Sequence, residues 1–171
     1  RLGNGGNGIA ATAAVITNLG PGQTSLDIAS GFAHSCAVQA DGNVTCWGDG
    51  TSGQLGNGAT SSWYTESSPV LTSSLGAGRT AVAVSAGNDH TCAILDTGSV
   101  SCWGSGGNGR LGNGASSQQT TPTQTSSLGA GRTAVNISLG GSHTCVILDN
   151  GAVSCWGGGG YGQLGNGATS S

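Results

Sequence analysis

Three copies of one unit, held to a nearly constant spacing, constrain this chain more than any other feature. The string Leu-Gly-Asn-Gly begins at Leu2, Leu55, Leu111 and Leu164, at intervals of 53, 56 and 53 residues. His-[Ser/Thr]-Cys recurs at His34, His90 and His143, and Cys-Trp-Gly at Cys46, Cys102 and Cys155. In every unit the leucine of the next LGNG stands nine positions after the second cysteine. The extra residues of the middle interval fall between Leu55 and Cys92, and the unmatched Trp63-Tyr64-Thr65-Glu66 marks a surface loop within 59–68. The frame is a first unit at 1–53 that opens on the end of a preceding one, then 54–109 and 110–162, with 163–171 beginning a fourth.

A period near 50 residues, with many glycines and one Trp per unit, points to propeller blades rather than a helical solenoid. Leu26/Ile28, Val82/Val84 and Val135/Ile137 alternate with small or polar residues, as strands do. A Gly and then the His follow, and next a second strand, such as Thr91–Leu95, a turn, and a third, such as Ser99–Trp103. No segment carries a sustained helical period with caps. Glycine, 35 of the 171 residues, would cost a helix about 1 kcal/mol at each position.

The turn between the second and third strands fixes a register. Pairing Cys36 with Cys46 also pairs Val38 with Val44 and leaves Ala40-Asp41-Gly42 as the loop. The other units give Asp96-Thr97-Gly98 and Asp149-Asn150-Gly151, with Gly third each time. A three-residue hairpin needs a left-handed residue there, which Gly supplies without steric cost. The same register sets each cysteine opposite its partner, so disulfides are expected at Cys36–Cys46, Cys92–Cys102 and Cys145–Cys155. Spacing alone would not choose among the pairings of six cysteines; repetition together with turn chemistry does. Reduced core thiols and zinc are the rival readings, but zinc sites favour closely spaced Cys knuckles with added His ligands. Disulfides imply an oxidising compartment, hence an extracellular or cell-surface home. Asn43-Val-Thr and Asn136-Ile-Ser are candidate glycosylation sites.

Composition excludes several functions. Only 6% of residues are charged, lysine is absent, and the net charge is −3, which argues against nucleic-acid binding. No apolar run approaches the roughly 18 residues of a membrane span. The Gly-rich strings lack the lysine and the following helix of a phosphate loop. No catalytic Ser/His/Asp set, metal site or cofactor site is expected. Asp41, Asp96 and Asp149 sit in hairpin turns, where Asp is favoured.

The assembled unit, in its second copy VAVSAGNDHTCAILDTGSVSCWGSGGNGRLGNG, resembles the regulator of chromosome condensation repeat family. The matched positions are Gly31/His34/Trp47/Gly48, Gly87/His90/Trp103/Gly104 and Gly140/His143/Trp156/Gly157. The resemblance covers essentially the whole chain, and the paired cysteines look like a secreted microbial branch. It implies an all-β fold of three four-stranded antiparallel blades, part of a larger propeller or of a repeat assembly. It also implies that each His is structural, bonding the backbone of its own blade, and that each Trp is core. Family membership fixes no single function.

The expected role is a non-enzymatic extracellular interaction or structural module, a building block of a surface assembly or filament. The alternative is a secreted inhibitor-like propeller that binds a protein enzyme; an enzyme is a more remote reading. Trp63 and Tyr64 are candidate partner anchors, with packing on the blade edge as the rival reading. Arg79 and Arg132, in matching GRTAV strings, either line a binding face or lie in solvated loops. Partners are expected to be a protein or further copies of the chain. Three blades are too few to close a ring and leave faces and edges open. The array is therefore expected to continue through a longer chain, head-to-tail subunits or a six-blade dimer. Ile9–Thr17, far more apolar than the stretches before Leu75 and Leu128, is expected to pack against or add to a neighbouring copy or further blades.

Overall fold

The computed structural model describes residues 23–60 and 65–169, with Gly3, Thr12, Ala13, Val15, Ile16 and Leu19 ahead of them. Trp63 and Tyr64 lie outside the described residues, as does much of 9–17. Three antiparallel sheets follow one another along the chain. The first orders β1 (Ser25–Ser30), β2 (His34–Gln39), β3 (Val44–Gly48) and β4 (Glu66–Leu71) side by side. The second does the same with β5 (Ala81–Ala86), β6 (His90–Leu95), β7 (Val100–Gly104) and β8 (Gln119–Gln124). The third holds β9 (Ala134–Leu139), β10 (His143–Leu148) and β11 (Val153–Gly157). The sheets therefore run out of phase with the sequence frame, since the outer strand of one sheet lies inside the next repeat. That outer strand starts 18 residues after β3 ends and 15 after β7 ends, so its counterpart after Gly157 would begin no earlier than position 172.

The hairpins take the register their turns dictate. Cys36 faces Cys46, Cys92 faces Cys102, and Cys145 faces Cys155. All three pairs are disulfide-bonded, with Cα atoms 4.0–4.1 Å apart. The turn glycines Gly42, Gly98 and Gly151 have φ of +79°, +73° and +82°, the left-handed backbone a three-residue loop requires.

The sheets stack face to face, and the two faces of a sheet differ. Cys36, Val38, Val44 and Cys46 of the first sheet pack on Ala93, Leu95 and Trp103 of the second. Cys92, Ile94, Val100 and Cys102 of the second pack on Val146 and Leu148 of the third, with Trp156 at the margin. Each junction thus sets the disulfide face of one sheet against the tryptophan face of the next. Leu55 and Leu111, the leucines of LGNG, are buried in these junctions. The glycine after each leucine has φ near +70° and lies under the next tryptophan. A Cβ on Gly56 would stand 2.7 Å from Trp103 Nε1, and one on Gly112 would stand 2.5 Å from Trp156 Nε1. The LGNG string is therefore a seat for the indole of the following sheet. No helix among the described residues is long and apolar enough to cross a membrane.

Candidate interaction site

The polar residues of the repeat converge at the two junctions. His34 Nε2 lies 2.8 Å from Thr91 Oγ1, whose hydroxyl donates to the Gln54 carbonyl at 2.8 Å. Trp103 Nε1 donates to the same carbonyl at 2.9 Å. The next junction repeats this: His90 Nε2 lies 3.0 Å from Thr144 Oγ1, and both Thr144 Oγ1 and Trp156 Nε1 donate to the Arg110 carbonyl at 3.0 Å. The threonine spends its one proton on the carbonyl, so it must accept from the histidine. That fixes the imidazole as the neutral Nε2–H tautomer. Nδ1 of His34 and of His90 is buried without a partner.

Burial disfavours the imidazolium and pushes His34 down to about 4, against an opposing pull from the Asp49 carboxylate. It pushes His90 down to about 3, helped by the Arg110 guanidinium. These histidines do not bond the backbone of their own blades, as the resemblance implied. Each reaches a hydroxyl of the next sheet, because the ring stands at the end of β2 or β6, across the junction from the following His-Thr-Cys.

The other candidate residues are dispersed. Arg79 Nη1 pairs with Asp96 at 3.4 Å and Arg132 Nη1 with Asp149 at 3.5 Å, each on the hairpin turn of its own following sheet. All four side chains are about a third exposed, so these pairs contribute little stability. The two arginines stand one per sheet and form no common site. Asn43 and Asn136 are both exposed, and Asn43 Nδ2 donates to Asp41 Oδ2 at 2.9 Å. Among the described residues no group of three His, Cys, Asp or Glu could hold a metal ion.

Several residues take places that the repeat pattern did not assign. Asp27 fastens the first sheet to the second: its Oδ2 accepts from the Val84 amide at 2.8 Å. Phe32 and Tyr161 are 83% and 96% exposed, in the loop after β1 and the Gly-rich turn after β11. Leu26, Val82 and Val135 are exposed along one groove that crosses the three inner strands.

The third sheet exposes apolar positions that its neighbours bury. Ile94 and Val100 of the second sheet are 2% and 1% exposed, whereas their counterparts Ile147 and Val153 are 41% and 66% exposed. The Cys145–Cys155 disulfide lies half-buried beside them. Nothing among the described residues pairs with the outer edge of β11, although β3 and β7 each pair with an outer strand.

A family model described as regulator of chromosome condensation (RCC1) repeat matches residues 41–94 and 97–147, and a second of the same description matches 26–54, 81–110 and 134–163. The chain belongs to the RCC1 repeat family. Among RCC1-repeat relatives, the ultraviolet-B receptor UVR8 of Arabidopsis thaliana is 39% identical over 150 residues, covering 87% of this chain and 33% of the receptor. The human E3 ubiquitin-protein ligase HERC2 is 34% identical over 140 residues, covering 80% of this chain and 3% of the ligase. Yeast RCC1 (Prp20), solved bound to Kap60, superposes with a TM-score of 0.70 at 26% identity, covering 82% of this chain and 33% of that one. The chain thus spans about a third or less of the length of these RCC1-repeat relatives.

Proposed function

We propose that the chain is a non-enzymatic, extracellular interaction module that serves as a building block of a surface assembly or filament. The observation that carries this reading is the third sheet. Its disulfide face is apolar and, among the described residues, uncovered, where the first two sheets bury the same face under a neighbour. Such surfaces are rare on isolated soluble domains and mark protein contacts. The histidines support a structural rather than chemical role, since each buried ring is neutral and committed to a junction. Three disulfides and no free cysteine support an oxidising compartment. The yeast relative's complex with Kap60 supports protein binding as a use of the fold.

Fractionation of source cells, with alkylation before and after reduction, tests this reading. The chain should be found outside the cytoplasm with its cysteines alkylated only after reduction. Cross-linking in that fraction should join residues near 143–157 to protein. Free thiols in the native chain or a cytoplasmic location would overturn the extracellular part. Absence of any protein cross-link would overturn the interaction part.

A further inference from the structure

A cavity of about 620 Å³ opens on the face of the second sheet that meets the first. Its size lies within the roughly 300–1,000 Å³ of small-molecule sites. Ser101 of β7 and Gln124 of β8 stand opposite each other and form one wall, which Pro122 extends. Leu75 and Arg79, in the connection from β4 to β5, form the other. The whole lining falls within 74–124, so the cavity belongs to an interior junction.

Ser101 is 3% exposed and lines the cavity, yet its hydroxyl has no hydrogen-bond partner among the described residues. The first sheet differs at the same position. There Thr45 Oγ1 accepts from Gln39 Nε2 at 2.9 Å, and both residues are buried. In the second sheet Leu95 stands where the first has Gln39, at the end of the facing strand, so no side-chain amide reaches the hydroxyl. Buried polar groups are nearly always partnered. The partner of Ser101 therefore comes from what occupies the cavity, solvent in the free protein and a ligand when one binds. The exposed Gln124 amide, on the same wall, is likewise uncommitted among the described residues.

Among the described residues Arg79 is the one charged side chain on the lining, and Asp96 pairs with it at 3.4 Å. An anion would meet a cation already paired. What remains is neutral: the Ser99 and Ser101 hydroxyls and the Gln124 amide can each donate and accept. Leu75 and Pro122 place apolar surface beside them. A peptide main chain would need a free strand edge, and at the cavity β7 and β8 are paired with each other. The matching ligand is a ring that carries several hydroxyls around an apolar C–H face. We propose that the cavity binds a neutral saccharide unit. Ser101 and Gln124 hydrogen-bond its hydroxyls, and Leu75 and Pro122 lie against its ring. This goes beyond the interaction-module reading, which concerns protein contacts of the third sheet.

Titration of the oxidised, isotope-labelled full chain with glucose, galactose, mannose, N-acetylglucosamine, cellobiose and maltose, followed by NMR, tests the proposal. At least one of these sugars should bind at millimolar concentration and shift the amide resonances of Ser99, Ser101 and Gln124. Ser101→Ala and Gln124→Ala should each weaken that binding roughly fivefold, as expected for one neutral hydrogen bond. Asn136→Ala, outside the cavity, should leave it unchanged. Circular dichroism checks that the variants are folded, and Gln124, being exposed, keeps the test valid if Ser101→Ala is not. No binding up to the solubility of the sugars would overturn the proposal. So would shifts confined to residues away from the cavity, or full affinity in the folded variants. Glucuronate binding more tightly than glucose, with the difference lost in Arg79→Gln, would also overturn it and make the cavity an anion site. None of these failures touches the module reading, which stands or falls on cross-links near the third sheet.

Discussion

Thr91→Val isolates the junction relay from the packing around it. Thr91 is fully buried, and valine keeps its shape while deleting the hydroxyl. In the wild type that hydroxyl accepts from His34 and donates to the Gln54 carbonyl. Without it the carbonyl still accepts Trp103 Nε1–H, so that side of the loss is small. The other side is not. His34 Nδ1 already lacks a partner, so the variant buries an imidazole with both nitrogens unpaired, whichever tautomer it adopts. An orphaned buried donor costs about 1–3 kcal/mol, so the expected loss is about 2–3 kcal/mol. For a chain of this size that is about 4–12 °C in Tm, at roughly 2–4 °C per kcal/mol. Thr91→Ser keeps both bonds and loses one methyl, about 1 kcal/mol. Urea unfolding at pH 7.5 and calorimetry, with disulfides intact, would measure both variants. If Val cost no more than Ser, the relay would carry no stability and the tautomer argument would fail.

Three further outcomes are expected. The folded-state pKa values of about 4 for His34 and about 3 for His90 lie below the unfolded value of 6.5. The unfolded chain therefore takes up protons first as pH falls. Stability should be full above pH 6.5 and decline by a few kcal/mol towards pH 4; a flat urea midpoint from pH 7.5 to 4.5 would contradict the buried neutral rings. The Cys92→Ala/Cys102→Ala variant, which opens a loop of about 11 residues, should lose about 3 kcal/mol in the chain-entropy model. Chemical denaturation of that variant checks it, and an unchanged midpoint would mean the bond constrains nothing. Gly56→Ala would press a methyl against the Trp103 indole at a φ of +69° and should lose about 2–4 kcal/mol, with a shift in tryptophan fluorescence. A neutral effect would show that LGNG is not the indole's seat.

What the sequence determined by itself is local. The cysteines lie ten residues apart on one hairpin, and Gly42, Gly98 and Gly151 fix the turns between them, so register and disulfide pairing follow from short-range sterics. Repetition then carried one unit's reading to all three. The tertiary structure decided what depends on residues far apart in the chain. His34 meets Thr91 at a separation of 57 residues, and Asp27 meets the Val84 amide at the same separation. Nothing in a single unit distinguishes a histidine that bonds its own backbone from one that bonds the next sheet. Stacking likewise decided exposure: Ile94 and Ile147 occupy the same place in their hairpins, yet one is core and the other faces solvent. Burial belongs to the neighbour that covers a face, and a repeat sequence specifies the face without saying which copy is covered.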